Sequence, residues 1–243
     1  MAAFGEVSKL LRVEVTTLTS DSIICVHDIG GSPKTTWHHD ESGKMWISDP
    51  EFLGNFSNSA RLWSYGYNSD PSVNMTPSSI AFHANELLAI IMAVYTVNGG
   101  GGPTIFIAHG LGGVIVKKAV ILSLSCPEYF NIRDSIAGIV FLDTVHHGTD
   151  SEGVLKAVKT IAALSLQKGS LKPSWDDTRQ YADAVREVNT AFLDRLPTEL
   201  EMLNFIALRR VELTVDGSET HKTLTSLSDH APRQAEPWGY PQA

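Results

Sequence analysis

The chain has 243 residues, 43% of them apolar, and a formal net charge of -8 at pH 7. That length supports one full α/β core, and the mean hydropathy of -0.03 is ordinary for a soluble globular protein. The acidic balance argues against a nucleic-acid or anionic-membrane surface, since both reward basic patches, and no Lys/Arg-rich run reverses it.

The N-terminal stretch MAAFGEVSKLLRVEV has no signal-peptide apolar core. An intracellular, cytoplasmic protein without a transmembrane segment is expected. Residues 10–17 alternate apolar and polar, which predicts a half-buried edge strand. Residues 22–27 form a continuous apolar run, the pattern of a central parallel strand. The following loop, 28–33, is kept non-helical by Gly30, Gly31 and Pro33. Residues 37–55 are mixed, with Trp37, Trp46, Phe52 and Phe56 as anchors for a short helix.

Residues 61–67 (RLWSYGY) predict the next strand, and 68–77 a polar loop. A helix capped by Ser78 is expected next, with Ile80, Ala84, Leu87, Leu88, Ile91 and Tyr95 in a 3.6-residue stripe. The glycine run 99–102 ends it. A short buried strand over 105–108, a tight turn at 109–113 and a helix from about Val114 come next, and another buried strand covers 136–142. Two helical segments follow, the second over 176–196 with Tyr181, Val185, Val188 and Phe192 on one face. The last strands are expected at 201–208 and 211–215. From residue 229 the chain is rich in proline and glycine without a period, so the expected division is a domain over 1–228 and an irregular tail over 229–243. Strands alternating with helices predict a mostly parallel, doubly wound sheet with helices on both faces.

The strand, glycine turn and helix over 104–124 have the layout of a nucleophile elbow, in which a sharp turn lifts a serine Oγ clear of the sheet. Here Ala108 and Gly112 hold the outer G-x-S-x-G positions, and Gly110 stands where serine belongs. Ser32 and Ser123 are near the motif loops, but neither sits on a turn with a helix N-terminus behind it. Cys25 and Cys126 lie in or beside apolar segments and read as buried thiols. Neither has a ligand-spaced partner, so no metal and no cofactor are expected.

Four motifs in order, VHDIGG (26–31), SYGY (64–67), AHGLGGVIVKKA (108–119) and GIVFLDTVHHG (138–148), resemble those of the lipase-like serine esterases related to GPI inositol-deacylase. Similar domains stand at the N-terminus of many fungal NACHT/STAND immune receptors. The usual family forms are VHGLGG, a strand ending in YGY, GHSLGGLVVKQAL and GIIFLGTPHRG. The resemblance covers residues 20–150, with a weaker echo in VREVNTAFLDRL (185–196).

The resemblance implies an α/β-hydrolase fold and ester hydrolysis by a Ser-His-Asp/Glu triad. It places the lost nucleophile at Gly110 and the oxyanion-hole donors at the backbone N–H groups of Ile29 and Leu111. The family glycine after His27 is Asp28 here, and a carboxylate beside the hole would disfavour a developing oxyanion. The acid falls near Ala207 or at Asp143, which is equally readable as a strand-end Asp bonding turn N–H groups. The base aligns with His230, with His221 as competitor; both are also readable as surface histidines. His146 and His147 occupy the family's Pro-His position.

Glycine takes the elbow's backbone angles without the strain a serine there bears, which costs of order 1–3 kcal/mol. Gly110 and Asp28 together therefore predict a pseudoenzyme that binds without turnover, with an acyl-ester or lipid-like small molecule, a further domain or a protein as partner. The alternatives are an active esterase using another serine, or with Gly110 an engineered change, and a degenerate copy of the fold. The expected site is a pocket lined by His27, Asp28, Ile29, His109, Leu111 and His146, with room for a water or slim ligand group beside Gly110.

Overall fold

The computed structural model describes residues 9–12, 20–39, 42–146, 151–165, 175–196, 198–206, 211–213 and 222–224. Six strands form the main sheet: β1 (Lys9–Arg12), β2 (Ser22–Val26), β5 (Arg61–Gly66), β6 (Thr104–His109), β7 (Ile136–Leu142) and β8 (Glu201–Phe205), in the order β1-β5-β2-β6-β7-β8. All neighbours are parallel except β1, which runs antiparallel on the β5 edge. β2 is buried along its whole length because strands lie on both sides and packed layers on both faces. The arrangement is the mostly parallel α/β-hydrolase sheet that the motif order implies.

Side-chain alternation sends successive residues to opposite faces, and each face has its own core. Ile24, Val26, Phe106, Ala108, Ile139 and Phe141 join the larger core. That core is closed by α2 (Pro77–Val97), α3 (Gly112–Ser125), α5 (Ser151–Ser165) and α6 (Trp175–Arg195), which pack on one another. The other face buries Ile23, Cys25, Leu62 and Ile107 against Trp37, Ile47 and Leu53. Among the described residues of 37–55 the expected short α-helix does not form. Two 3-10 turns, Thr35–Trp37 and Leu53–Phe56, do its work with a two-residue ladder between β3 (His38–His39) and β4 (Lys44–Met45). Among the described residues the four long α-helices all pack on the larger core, and the second face carries two short 3-10 turns where helices were expected. Gly43, Pro50 and Gly54 interrupt any longer helix on the second face.

A short helix, α1 (Pro71–Asn74), precedes α2. Pro77 occupies the first turn of α2, where a missing N–H costs nothing, so the cap is Thr76 and not Ser78. Thr76 Oγ1 accepts the Ser79 N–H at 3.3 Å. By length and composition α2 could cross a membrane. Its stripe from Ile80 to Tyr95 nevertheless belongs to the main core, as the 3.6-residue period predicts. α3 begins at Gly112, two residues earlier than expected. A further helix, α4 (Phe130–Ser135), leads into β7. The expected strand at 211–215 does not join the main sheet: β9 (Val211–Leu213) pairs antiparallel with β10 (Lys222–Leu224). Residues 13–17 of the expected edge strand, and all of 225–243, lie outside the described residues.

Candidate active site

The parallel register between β2 and β6 pairs Val26 with Ala108. Both chains then turn at the carboxyl edge of the sheet, where ligands of open α/β sheets bind, and the register sets Asp28 beside Gly110. Gly110 has φ +54°, a left-handed conformation natural to glycine and strained for serine. Its N–H donates to Leu142 O at 2.9 Å, and its carbonyl accepts from Gly113 N at 3.2 Å. These bonds hold a tight elbow whose next residue, Leu111, is the N-cap of α3.

Two more glycines make the turn possible. A Cβ at Gly112 would run into the carbonyl oxygens of His27 and Val26, and one at Gly113 into the Thr144 side chain. The amino end of α3 thus sits directly on the backbone leaving β2.

The space beside Gly110 is filled. Asp28 Oδ1 accepts the Ile29 N–H at 2.7 Å and the Leu111 N–H at 2.7 Å. Those are the two donors expected of an oxyanion hole, and one carboxylate oxygen takes both. The room expected there for a water or slim ligand is occupied by this side chain. α3 has no side-chain cap of its own at Leu111. Asp28 supplies one from the neighbouring strand, where the helix dipole favours negative charge. Burial pushes the Asp28 carboxyl above its ordinary pKa, and nearby Asp143 pushes the same way. His109 and the Leu111 and Ile29 N–H bonds pull it down. His109 Nδ1 stands 3.9 Å from Asp28 Oδ2, too far for a hydrogen bond, and its side chain is 38% exposed.

His27 is fully buried. Its Nδ1 lies 2.8 Å from Asp28 O and its Nε2 accepts the Tyr67 N–H at 3.4 Å. Tyr67 stacks flat on the ring, 4.3 Å between centroids, and donates its hydroxyl to His27 O at 2.9 Å. Burial lowers the His27 pKa to about 4. This histidine is neutral and built into the wall.

The other expected residues divide, Asp143 near Asp28, Ile29 and Leu111 beside the elbow, and His146 toward the larger core. Asp143 follows β7 with φ +52°, a conformation uncommon outside glycine, and its N–H donates to Phe205 O at 2.8 Å. His146 packs its ring edge-on against Phe141 at 4.9 Å. It lines a small cavity with Lys117, Phe141, Asn189 and Phe192, on the side of the larger core. Ile29 and Leu111 are buried beside the elbow. His230, His221, His147 and Ala207 lie outside the described residues. Among the described residues no cluster of His, Cys, Asp or Glu could hold a metal ion. A cavity of about 610 Å³ opens at the opposite, amino edge of β6 and β7, around Tyr95, residues 99–103 and Ser135.

Sequence reasoning did not single out Lys117. It is 1% exposed, donating its Nζ to Val145 O at 3.0 Å and to Asn189 Oδ1 at 2.7 Å. It ties α3 and α6 to the loop after β7. Its spacing from Val114 and Ile121, three and four residues away on one helix face, signalled this burial.

No family model matches the chain. It is similar to the human protein SERAC1, with 25% identity over 201 residues. That alignment covers 72% of this chain and 30% of the human protein. Bovine SERAC1 is 30% identical over 127 residues, 49% of this chain and 19% of that protein. The chain thus spans less than a third of either relative. Among solved structures it is similar to the phospholipase PlaB from Legionella pneumophila, at 17% identity and TM-score 0.48 over 76% of this chain and 38% of that one. It is also similar to an esterase from Pyrobaculum calidifontis, at 13% identity and TM-score 0.47 over 81% and 59%.

Proposed function

We propose that this lipase-like α/β-hydrolase domain is catalytically inactive and acts by binding a protein or a neighbouring domain, as a module of a STAND-type receptor in the intracellular space. One observation carries the inactive reading: the two N–H groups that would stabilise an oxyanion both donate to Asp28 Oδ1, beside a residue with no side chain. An acyl ester at that elbow would meet no nucleophile and no free donor. Among the described residues the serines near the site are engaged otherwise, Ser32 with Thr35 Oγ1, Ser64 with Pro33 O and Ser69 with Gly31 O. The receptor setting is supported by the motif resemblance to fungal NACHT/STAND N-terminal domains. Because the SERAC1 proteins are much longer than this chain, that similarity supports a module within a larger chain.

The test is hydrolysis of p-nitrophenyl acetate, butyrate and palmitate by the purified chain, with a fluorophosphonate probe in parallel. The expected result is no turnover above buffer and no labelling. Losing a triad nucleophile removes on the order of 10⁶ in rate. Turnover that the probe abolishes would identify another serine and favour an active esterase.

A further inference from the structure

We infer that Asp28 and Gly110 are a matched pair: the Asp28 carboxylate is the resident occupant of the oxyanion hole, and it requires position 110 to carry no side chain. This rests on the inactive reading above and adds what keeps the site shut.

A Cβ built on Gly110 falls far inside contact distance of Asp28 Cγ and both carboxylate oxygens. The collision comes from the β2–β6 register and the α3 cap, so neither partner can step aside without losing its N–H bonds. Glycine at 110 thus does more than relieve the φ of +54°. Serine cannot return at 110 while Asp28 is seated, and a vacated hole is a site for a small carboxylate from solution, since its two donors would then have lost the acceptor that Asp28 supplies.

The pair is tested by thermal melting of the full chain with Gly110→Ser, Asp28→Gly and both together. Gly110→Ser alone should lower the melting temperature by roughly 5 °C or more, as overpacking does when the struck side chain is held by its own hydrogen bonds. The same serine placed in Asp28→Gly should cost no more than the φ strain, a clearly smaller loss. Equal losses in both backgrounds would overturn the inference. Asp28→Asn keeps the shape and the acceptor, so it should tolerate serine as poorly as the wild type does. Asp28→Ala also removes the colliding atoms and serves the same comparison should Asp28→Gly not fold.

A second readout is rescue. At about 100 mM sodium acetate, against sodium chloride of equal ionic strength, Asp28→Gly should melt higher while the wild type is unmoved. Equal response of the two proteins to acetate would show that the hole is not vacated and would overturn the inference. The two ideas fail separately. Esterase turnover by the wild type would sink the inactive reading and leave the melting comparison standing, whereas additive melting losses would sink the pairing and leave an inactive domain.

Discussion

Lys117 Nζ lies 2.7 Å from Asn189 Oδ1 across the α3–α6 packing, and the same ammonium sits 5.3 Å from the Phe141 ring centroid and 5.9 Å from that of Phe192. The rings offer a cation partial compensation. Burial still wins, lowering the Lys117 pKa to about 7.

Stability should therefore depend on pH through this residue. Unfolded, the amine titrates near its ordinary value of about 10.4. Between pH 7 and about 10 the unfolded chain binds the extra proton, so stability should rise with pH across that window and flatten above it. Urea unfolding at stepped pH checks this, and Lys117→Met should remove the rise. Asn189→Ala should cost about 1–3 kcal/mol by leaving the buried amine short of an acceptor.

His27 should act in a lower window with the same sign. Its folded pKa of about 4 is below the ordinary imidazole value of about 6.5. Stability should fall as pH drops from 6.5 to 4 and level off below, because only the unfolded chain takes up the proton. NMR titration of the ring, or unfolding at stepped pH with His27→Phe as control, reads this directly. Tyr67→Phe should cost about 0.5–1.5 kcal/mol for the lost bond to His27 O.

Gly112→Ala tests the close approach of α3 to β2. The added methyl would strike the His27 and Val26 carbonyls, which are main chain and cannot rotate away. A loss of about 1–3 kcal/mol or more is expected in denaturant unfolding. A melting temperature equal to the wild type's would mean that α3 can slide off the strand.

Much of this was legible along the chain. The apolar runs at β2, β6 and β7, the stripe of α2 and the four ordered motifs gave the sheet and the elbow, because side-chain period and turn chemistry are local properties. The glycine at 110, where the resemblance places a serine, was equally plain, since it is a single letter in a recognisable frame. Composition could not reveal that the second face is covered by two 3-10 turns. It depends on Trp37, Ile47 and Leu53 meeting Ile23, Cys25 and Leu62, contacts distant in sequence. The Thr76 cap was in principle readable from Pro77, whose ring fits the first helical turn.

The state of the site was decided by tertiary structure alone. In sequence Asp28 is a carboxylate near a donor, and electrostatics says only that it would repel an oxyanion. Whether it stands beside the hole or inside it turns on the register of two strands more than 80 residues apart, which pairs Val26 with Ala108. Lys117 shows the same division. Its burial follows from helix period, but its acceptors come from Val145 and Asn189, and only folding brings those two together.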